Sequence, residues 1–264
     1  MLNLDQIKPK VEELCLQVGS YQLEKFRSAT LEVDHKDTAC DLVTEVDKKS
    51  EKMIVDFINN SFPDHGILAE ESGLHETQSP YQWIVDPLDG TNNYARGLPI
   101  FAISIALSYK NELLLGAIYA PYLNDMYTAI KGQGAYCGKQ RLSVSSREEL
   151  ATSIIGTGFP YDKATHPVNN IDYFSNLIPK LGGARRMGAC AYDLCMVAAG
   201  HLDGYWELNL GPWDVAAGEL LVTEAGGQVL HFRQDRKISI IAGSRSMVDN
   251  IWQEHKKVSP EISL

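Results

Sequence analysis

The sequence has no Cys-x-x-Cys pair, and its five cysteines, Cys15, Cys40, Cys137, Cys190 and Cys195, are odd in number and scattered. That usage suits reduced thiols in a cytoplasmic protein rather than a disulfide framework. No window approaches the roughly 18 uninterrupted apolar residues of a membrane span. The N-terminal MLNLDQIKPKVEEL carries acids early and lacks an apolar core, unlike a secretory signal. Positive charge is scarce: 24 Lys+Arg stand against 34 Asp+Glu, a net −10. This excludes a broad surface for nucleic acid or anionic membrane, because a phosphate backbone needs a positive partner. A small anionic substrate stays compatible if a metal ion or helix end supplies positive charge locally. With 44% hydrophobic and 22% charged residues, wholesale disorder is excluded. Neither a repeat nor a Pro- or Ser-rich linker divides the 264 residues, so one large or two tightly joined domains are expected.

Familiar routes to phosphate and hydrolytic chemistry are missing too. The nearest approach to a P-loop, Gly138-Lys139, has Gln133 where the first Gly should stand and Gln140 after the Lys. No cysteine has an Arg six positions later, and neither G-x-S-x-G nor H-E-x-x-H occurs. The seven histidines are scattered and read as surface or packing residues, which argues against transition-metal chemistry on His and Cys.

What is present is helical and strand periodicity. Ile7, Val11, Leu14, Cys15 and Val18 recur at helical spacing between Leu4 and about Phe26, and Met53, Ile54, Phe57 and Ile58 do so in a helix from about Glu45 to Asn60. QWIVD (82–86), FAISIALSY (101–109) and LLLGAIYAP (113–121) read as strands. The last two are joined so briefly that they must be antiparallel, which rules out a simple parallel doubly wound sheet. Beyond about Leu150 the expected order is a strand (153–158), helices near 168–180 and 190–200, a strand (202–207) and a helix near 213–225. The strands VLHF and ISIIAG and a helix from Ser244 to about Lys256 complete it. Residues 1–150 thus read as an α+β half and 151–264 as an α/β half, packed as one compact unit with a soft boundary.

The chemistry lies in carboxylates. Strand Trp83-Ile84-Val85 runs into Asp86-Pro87-Leu88-Asp89-Gly90-Thr91, where two acids three apart on a tight turn can converge. With the Leu88 carbonyl turned inward they form an all-oxygen site suited to Mg²⁺. Gly90 lets the backbone approach closely, and the Gly90 and Thr91 amides open a short helical segment able to cradle a phosphate. The same segment also reads as a strand followed by a capped turn, in which Asp89 merely caps and Asp86 is exposed. Glu70 and Glu71 follow strand-like Ile67-Leu68, and Asp214 opens a small, apolar helix where an N-cap alone would explain it. Thr44 and Asp47 have capping-box spacing.

Taken together, DLVTEVD (41–47), Glu70-Glu71-Ser72, DPLDGTNNY (86–94) and WDVAAGELLVTEAGG (213–227) resemble the signatures of the inositol monophosphatase family, in order, from about Lys36 to Gly227. The segment RRMGACAYDLCMVAAGHLDGYWELNLGPWD resembles its bacterial branch. The resemblance implies a layered αβαβα sugar-phosphatase fold, with mixed sheets sandwiched by helices. It implies a lithium-sensitive phosphatase with two or three Mg²⁺ per site, probing a small phosphorylated polyol such as myo-inositol 1-phosphate. Glu70, Asp86 and the Leu88 carbonyl would hold one ion; Asp86, Asp89 and Asp214 would hold a second; Glu70 would help with a weaker third. Thr91, oriented by Asp47, would activate water, and the Gly90 and Thr91 amides would bind phosphate. Glu207 would take inositol hydroxyls, with Gly188, Ala189 and Cys190 on the sugar side.

Lys36 precedes the first motif, where the family often has a Lys near phosphate, but an exposed loop charge reads equally well. Arg185 or Arg186 would face substrate or a dimer contact. Cys190 stands where a smaller residue is usual, which narrows the sugar pocket, and Ala69 replaces a usual Gly; Cys195 reads as core. A homodimer is implied. Other family substrates stay as alternatives: fructose 1,6-bisphosphate, histidinol phosphate, NADP or adenosine 3′,5′-bisphosphate. So does a regulatory binding protein with residual phosphatase activity, since some bacterial relatives engage the transcription machinery. Glu207, seven residues before Asp214, favours a neutral polyol, because a carboxylate accepts hydroxyl hydrogens and repels a second phosphate.

Overall fold

The structure, a computed structural model, describes residues 2–35 and 42–261; Lys36, Cys40 and Asp41 fall outside them. Helix α1 (Leu4–Lys25) buries the stripe Ile7, Val11, Leu14, Cys15 and Val18. An antiparallel ribbon of β1 (Val33–His35) and β2 (Leu42–Thr44) leads into α2 (Glu45–Ser61). There Thr44 and Asp47 form the expected capping box, which satisfies helix-end amides that would otherwise lack partners.

An eight-stranded sheet follows. Its strands are β3 (Gly66–Ala69), β4 (Gly73–His75) and β5 (Tyr81–Asp89), then, after the short helix α3 (Thr91–Ala95), β6 (Ala102–Tyr109) and β7 (Glu112–Ala120). β8 (Asp125–Ile130), β9 (Gly134–Cys137) and β10 (Gln140–Arg141) finish it. The order is β10-β9-β8-β7-β6-β5-β3-β4, antiparallel except where β3 runs parallel to β5. The β6–β7 hairpin is antiparallel, as its short connection requires.

The rest of the chain carries β11 (Ile154–Thr157), α4 (Ile171–Leu177), β12 (Gly183–Arg185), α5 (Cys190–Ala198) and β13 (Gly204–Leu210). α6 (Pro212–Glu224), β14 (Gln228–Arg233), β15 (Ile238–Gly243) and α7 (Arg245–Val258) follow. This sheet has the order β12-β11-β13-β15-β14 and is mixed: β11 is parallel to β12 and β13, while β15 is antiparallel to β13 and β14. The expected boundaries of two elements move at both ends. β13 starts at Gly204 and continues to Leu210, and α4 begins only after Asn170, whose φ of 76° breaks the helix on its N-terminal side. The helix expected near 168–180 also ends as a 3₁₀ turn at Ile178–Lys180.

Five layers result. On β6, Ile103, Ile105 and Leu107 point towards α1 and α2, while Ala102 and Ala106 point the other way, the two-residue alternation of a strand buried on both faces. Those small residues face α5 and α6, the middle layer, which packs on Ile240 and Ala242 of the second sheet as well. Wedged between two sheets, α6 buries Val215, Ala216, Ala217, Gly218, Leu220, Leu221 and Val222, more than one face of the helix, and keeps its acids to the two ends and Glu219. Its backbone comes so close to β7 that a Cβ on Gly116 would lie 2.9 Å from the Ala217 carbonyl. Beyond the second sheet, Tyr173, Leu177, Val248 and Ile251 of α4 and α7 cover Ile155, Trp206 and Phe232. Among the described residues, no helix is long and apolar enough to cross a membrane.

Candidate active site

A cavity of about 510 Å³ opens where β3 and β5 end and where α3, α5 and α6 begin. Glu70, Asp86, Leu88, Asp89, Gly90 and Thr91 line one side of it, and Cys190, Glu207 and Asp214 the other. Helix starts carry partial positive charge, so this is where a fold can best tolerate gathered acids.

The D-P-L-D turn is held from several directions. The pairing of β5 with β6 slips between Asp86 and Asp89, lifting the turn off the sheet. The Leu88 amide donates to Asp86 Oδ1 (2.9 Å) while the Leu88 side chain is buried with Val46, Tyr94 and Phe101. Asp89 reaches across the molecule to accept from the amides of Ala191 (2.7 Å) and Cys190 (3.1 Å) at the start of α5. Asp89 is thus a cap, but of a helix a hundred residues away. Asp214 also caps, accepting from the Gly211 amide at 2.7 Å. Capping and lining the cavity prove to be compatible duties for both, since a carboxylate has about four acceptor positions.

Asp47 is fully buried. Its Oδ2 accepts from the Thr44 amide (2.8 Å) and hydroxyl (2.6 Å), while its Oδ1 lies 2.7 Å from the Thr91 hydroxyl. The Leu88 carbonyl is also within reach of that hydroxyl, at 3.0 Å. The Thr91 proton therefore points away from the cavity, leaving lone pairs to face it.

The acids disturb one another. Burial raises Asp86 well above the ordinary carboxylate range, reinforced by Glu70, Asp89 and Asp214 and by a hydrogen bond with Glu70. Burial pushes Asp89 up to about 7 against the opposing α5 amides, and pushes Asp214 up to about 7 with help from Asp89. Glu207 is likewise raised to about 7 by burial, although the Tyr205 hydroxyl donates to it and Arg186 lies near. Among the described residues, no three Asp, Glu, His or Cys side chains are gathered into a ready-made metal site. The reason is visible in the contacts: Asp89 and Asp214 are turned to backbone amides, and Asp86 to Glu70 and the Leu88 amide. The donor chemistry nevertheless fits a hard divalent cation, being all oxygen and mutually repulsive.

On the wall formed by the 185–190 segment, the structure separates residues that the sequence grouped together. Arg185 does not line the cavity; its guanidinium donates to its own neighbour's carbonyl, Ala184 O, at 2.9 Å. Arg186 lines the wall instead, because adjacent residues of an extended segment point to opposite sides. Ala189 is buried, and its methyl would lie 3.1 Å from a Cβ on Gly90, so Gly188 and Cys190 face the cavity without it. Burial and the nearby Glu207, Asp214 and Asp89 raise the Cys190 thiol well above its ordinary value, which keeps it protonated. Cys195 is core, as expected.

Sequence reasoning missed several residues. Phe159, Tyr161, Asp162, Trp213 and Lys237 line the cavity. A buried Arg236 grips Asp162 through two hydrogen bonds (2.8 and 3.0 Å), fixing that loop. Gln22 of α1 donates to the Pro87 carbonyl at 2.7 Å, and Glu51 of α2 accepts the Glu71 and Ser72 amides, both at 2.8 Å. The signal for the loop was its place at a strand's carboxyl end, where α/β sites collect. For Gln22 and Glu51, buried polar residues on amphipathic helices, the sequence carries no pointer to the partner.

A model of the inositol monophosphatase family matches residues 3–262. The chain is similar to the Nus factor SuhB of Pasteurella multocida, with 45% identity over 73% of this chain and 72% of that protein. It is similar to the solved inositol monophosphatase from Anabaena (Nostoc), with 35% identity, a TM-score of 0.87, and coverage of 98% and 99% of the two chains. It also resembles a solved IMPase/NADP phosphatase complexed with Mg²⁺ and phosphate, with 26% identity, a TM-score of 0.82 and 95% of each chain covered.

Proposed function

The chain belongs to the inositol monophosphatase family, and on that premise we propose that it is a Mg²⁺-dependent phosphomonoesterase acting on myo-inositol 1-phosphate or a close relative. The observation that carries this reading is the convergence of Asp86, Asp89 and Asp214 on the cavity into which the Asp47-oriented Thr91 hydroxyl turns its lone pairs. Glu70, Asp86 and the Leu88 carbonyl would hold one Mg²⁺, and Asp86, Asp89 and Asp214 a second, with Glu70 assisting a weaker third. Bound there, Mg²⁺ supplies charge neutralisation for a phosphate dianion and lowers the pKa of water. To hold it, Asp86 and Glu70 must give up the hydrogen bond between them.

The chain's own groups then do the positioning. Thr91 accepts a hydrogen bond from the attacking water, and Asp47, bonded to the Thr91 hydroxyl, draws proton density away from it. The Gly90 and Thr91 amides receive phosphate oxygens. Glu207 accepts hydroxyl hydrogens of the polyol, with Arg186 and Cys190 bordering the ring. Burial disfavours the Cys190 thiolate, and the Thr91 hydroxyl is bonded to Asp47 in a role that orients water, so direct attack of water on phosphorus is the step these groups support. The same reading carries lithium sensitivity and a cytoplasmic homodimer.

A panel of phosphate esters under Mg²⁺ titration tests it. Inositol 1-phosphate should give the highest kcat/KM. Faster turnover of fructose 1,6-bisphosphate, histidinol phosphate, NADP or adenosine 3′,5′-bisphosphate would overturn that substrate. A second reading, a regulatory binding protein, is favoured by the similarity to a protein named a Nus factor. Retention of the cellular phenotype by a catalytically dead Asp89→Asn variant would support it.

A further inference from the structure

Strand β11 ends in Gly156-Thr157, and Gly158 follows directly, so the two glycines stand two residues apart in an extended stretch. All three are buried. A Cβ on Gly158 would lie 1.9 Å from Glu207 Oε1, 2.1 Å from Cδ and 2.2 Å from Oε2. Its backbone does not demand glycine, since Gly158 is absent from the positive-φ positions; space alone does. Two residues back, a Cβ on Gly156 would lie 2.9 Å from Tyr205 Cδ2 and 3.1 Å from Asp193 Oδ1. The parallel register sets Gly156 against Tyr205 and Thr157 against Trp206, bringing Glu207 next to Gly158. The Tyr205 hydroxyl in turn donates to Glu207 Oε2. A chain of contacts results: Gly156 seats the Tyr205 ring, Tyr205 holds Glu207, and Glu207 lies flat on Gly158. Glycine within a strand usually marks a close approach of this kind.

We propose that Gly158 is a specificity-determining positioning residue, whose missing side chain lets Glu207 lie against β11 and face the hydroxyl-bearing part of the substrate. The inference rests on the assignment of Glu207 to polyol recognition. Any side chain at 158 must push the carboxylate aside, and Tyr205 then loses its partner. The phosphate side of the cavity, built on β5 and α3, is untouched by that movement.

The test is a double-mutant cycle on the full-length enzyme with Mg²⁺. It reads the ratio of kcat/KM for inositol 1-phosphate to that for p-nitrophenyl phosphate, whose leaving group has no ring hydroxyls beyond the ester oxygen. Gly158→Ala should lower the ratio by tenfold or more, mainly through KM for the inositol ester. Added to Glu207→Ala it should change the ratio less than twofold, because no carboxylate remains to displace. An unchanged ratio, or an equal loss in both backgrounds, overturns the proposal. Should Gly158→Ala fail to fold, Tyr205→Phe keeps the ring on Gly156 and removes the hydroxyl; it should lower the ratio about threefold, and no change overturns the proposal. Wild-type enzyme that turns over neither ester would refute the functional reading instead. Crystal structures of Gly158→Ala and Tyr205→Phe judge the positioning independently: Glu207 displaced supports it, and Glu207 unmoved overturns it.

Discussion

Glu254 on α7 lies 2.5 Å from both Lys180 and Lys257 Nζ, whereas among the described residues Asp86, Asp89 and Asp214 have no ion pair. Burial would raise Glu254, but hydrogen bonds from Lys180, Lys257 and Asn176 outweigh it and hold the carboxyl at about 2. In the cavity the same carboxyl group moves the other way, Asp89 and Asp214 up to about 7. One region encloses a charge together with its counter-charge. The other crowds like charges, with Lys237 and Arg186 near but, among the described residues, not ion-paired to Asp86, Asp89 or Asp214, and leaves the rest of the compensation to helix ends and to whatever binds there. Taking a charge out of water is tolerated only when something pairs with it. A fold that keeps several acids unpaired at one point is therefore arranged for a cation from outside.

The sharpest way to break this comparison is Asp86→Asn. The amide has nearly the same shape, can still accept from the Leu88 amide, and can donate to Glu70. Turnover should fall by a factor of 100 or more, roughly 2.7 kcal/mol or greater in the barrier, while thermal stability without metal holds steady or rises. Steady-state kinetics and a melting curve on the same sample check both halves. Normal turnover would mean that Asp86 is not a metal ligand.

Adding the missing counter-charge should have the next largest effect. At a Mg²⁺ concentration about 100 times its Kd, binding to the native state alone adds about 2.7 kcal/mol. For a chain of this size that raises Tm by roughly 5–10 °C. Calorimetry with and without EDTA measures it, and Asp86→Asn should lose most of the rise.

At the paired site the signs reverse. Glu254→Gln should destabilise the protein by about 1–2 kcal/mol, kept small because Lys180 and Lys257 are partly exposed and screened by solvent. A carboxyl held low in the folded state contributes stability that is present above its unfolded pKa and lost as pH falls towards 2. The variant's denaturation midpoint should consequently fall less than the wild type's as pH drops below about 4.5. Mg²⁺ should affect both equally.

The smallest effect at neutral pH belongs to His255, which is buried against Tyr173, Trp206 and Phe232 with its Nε2 unpartnered. Burial lowers it to about 3. The unfolded chain binds a proton as pH falls below about 6.5 that the folded chain refuses, so stability declines across that window. His255→Phe should lie within about 1 kcal/mol of wild type at pH 8 and become the more stable of the two by pH 5. Parallel urea titrations at the two pH values give the answer.

The strongest sequence signals concerned backbone and chemistry type. The stripe on α1, the Thr44–Asp47 capping box and the β6–β7 hairpin are local patterns, and local patterns are legible without a partner. The acids at 70, 86, 89 and 214 were legible because each lies at the carboxyl end of a strand or opens a helix. β8, β9, β10 and β12 were not read. β9, β10 and β12 have four residues or fewer, and the six-residue β8 lies between β7 and β9; such strands are fixed by what they pair with more than by their own residues. Arg185 and Arg186 could not be told apart, since a one-residue difference in direction is decided by the strand that holds them.

The sequence by itself determined that an oxygen-rich anion site would be assembled from separated acids, because residue type fixes donor chemistry wherever the chain goes. Only the tertiary structure decided that Asp89 would cap α5, that Gln22 would hold the Pro87 carbonyl, and that Gly158 would yield its space to Glu207. Each of these contacts joins segments brought together by packing, over sequence separations of 102, 65 and 49 residues, and no local pattern encodes such a distance.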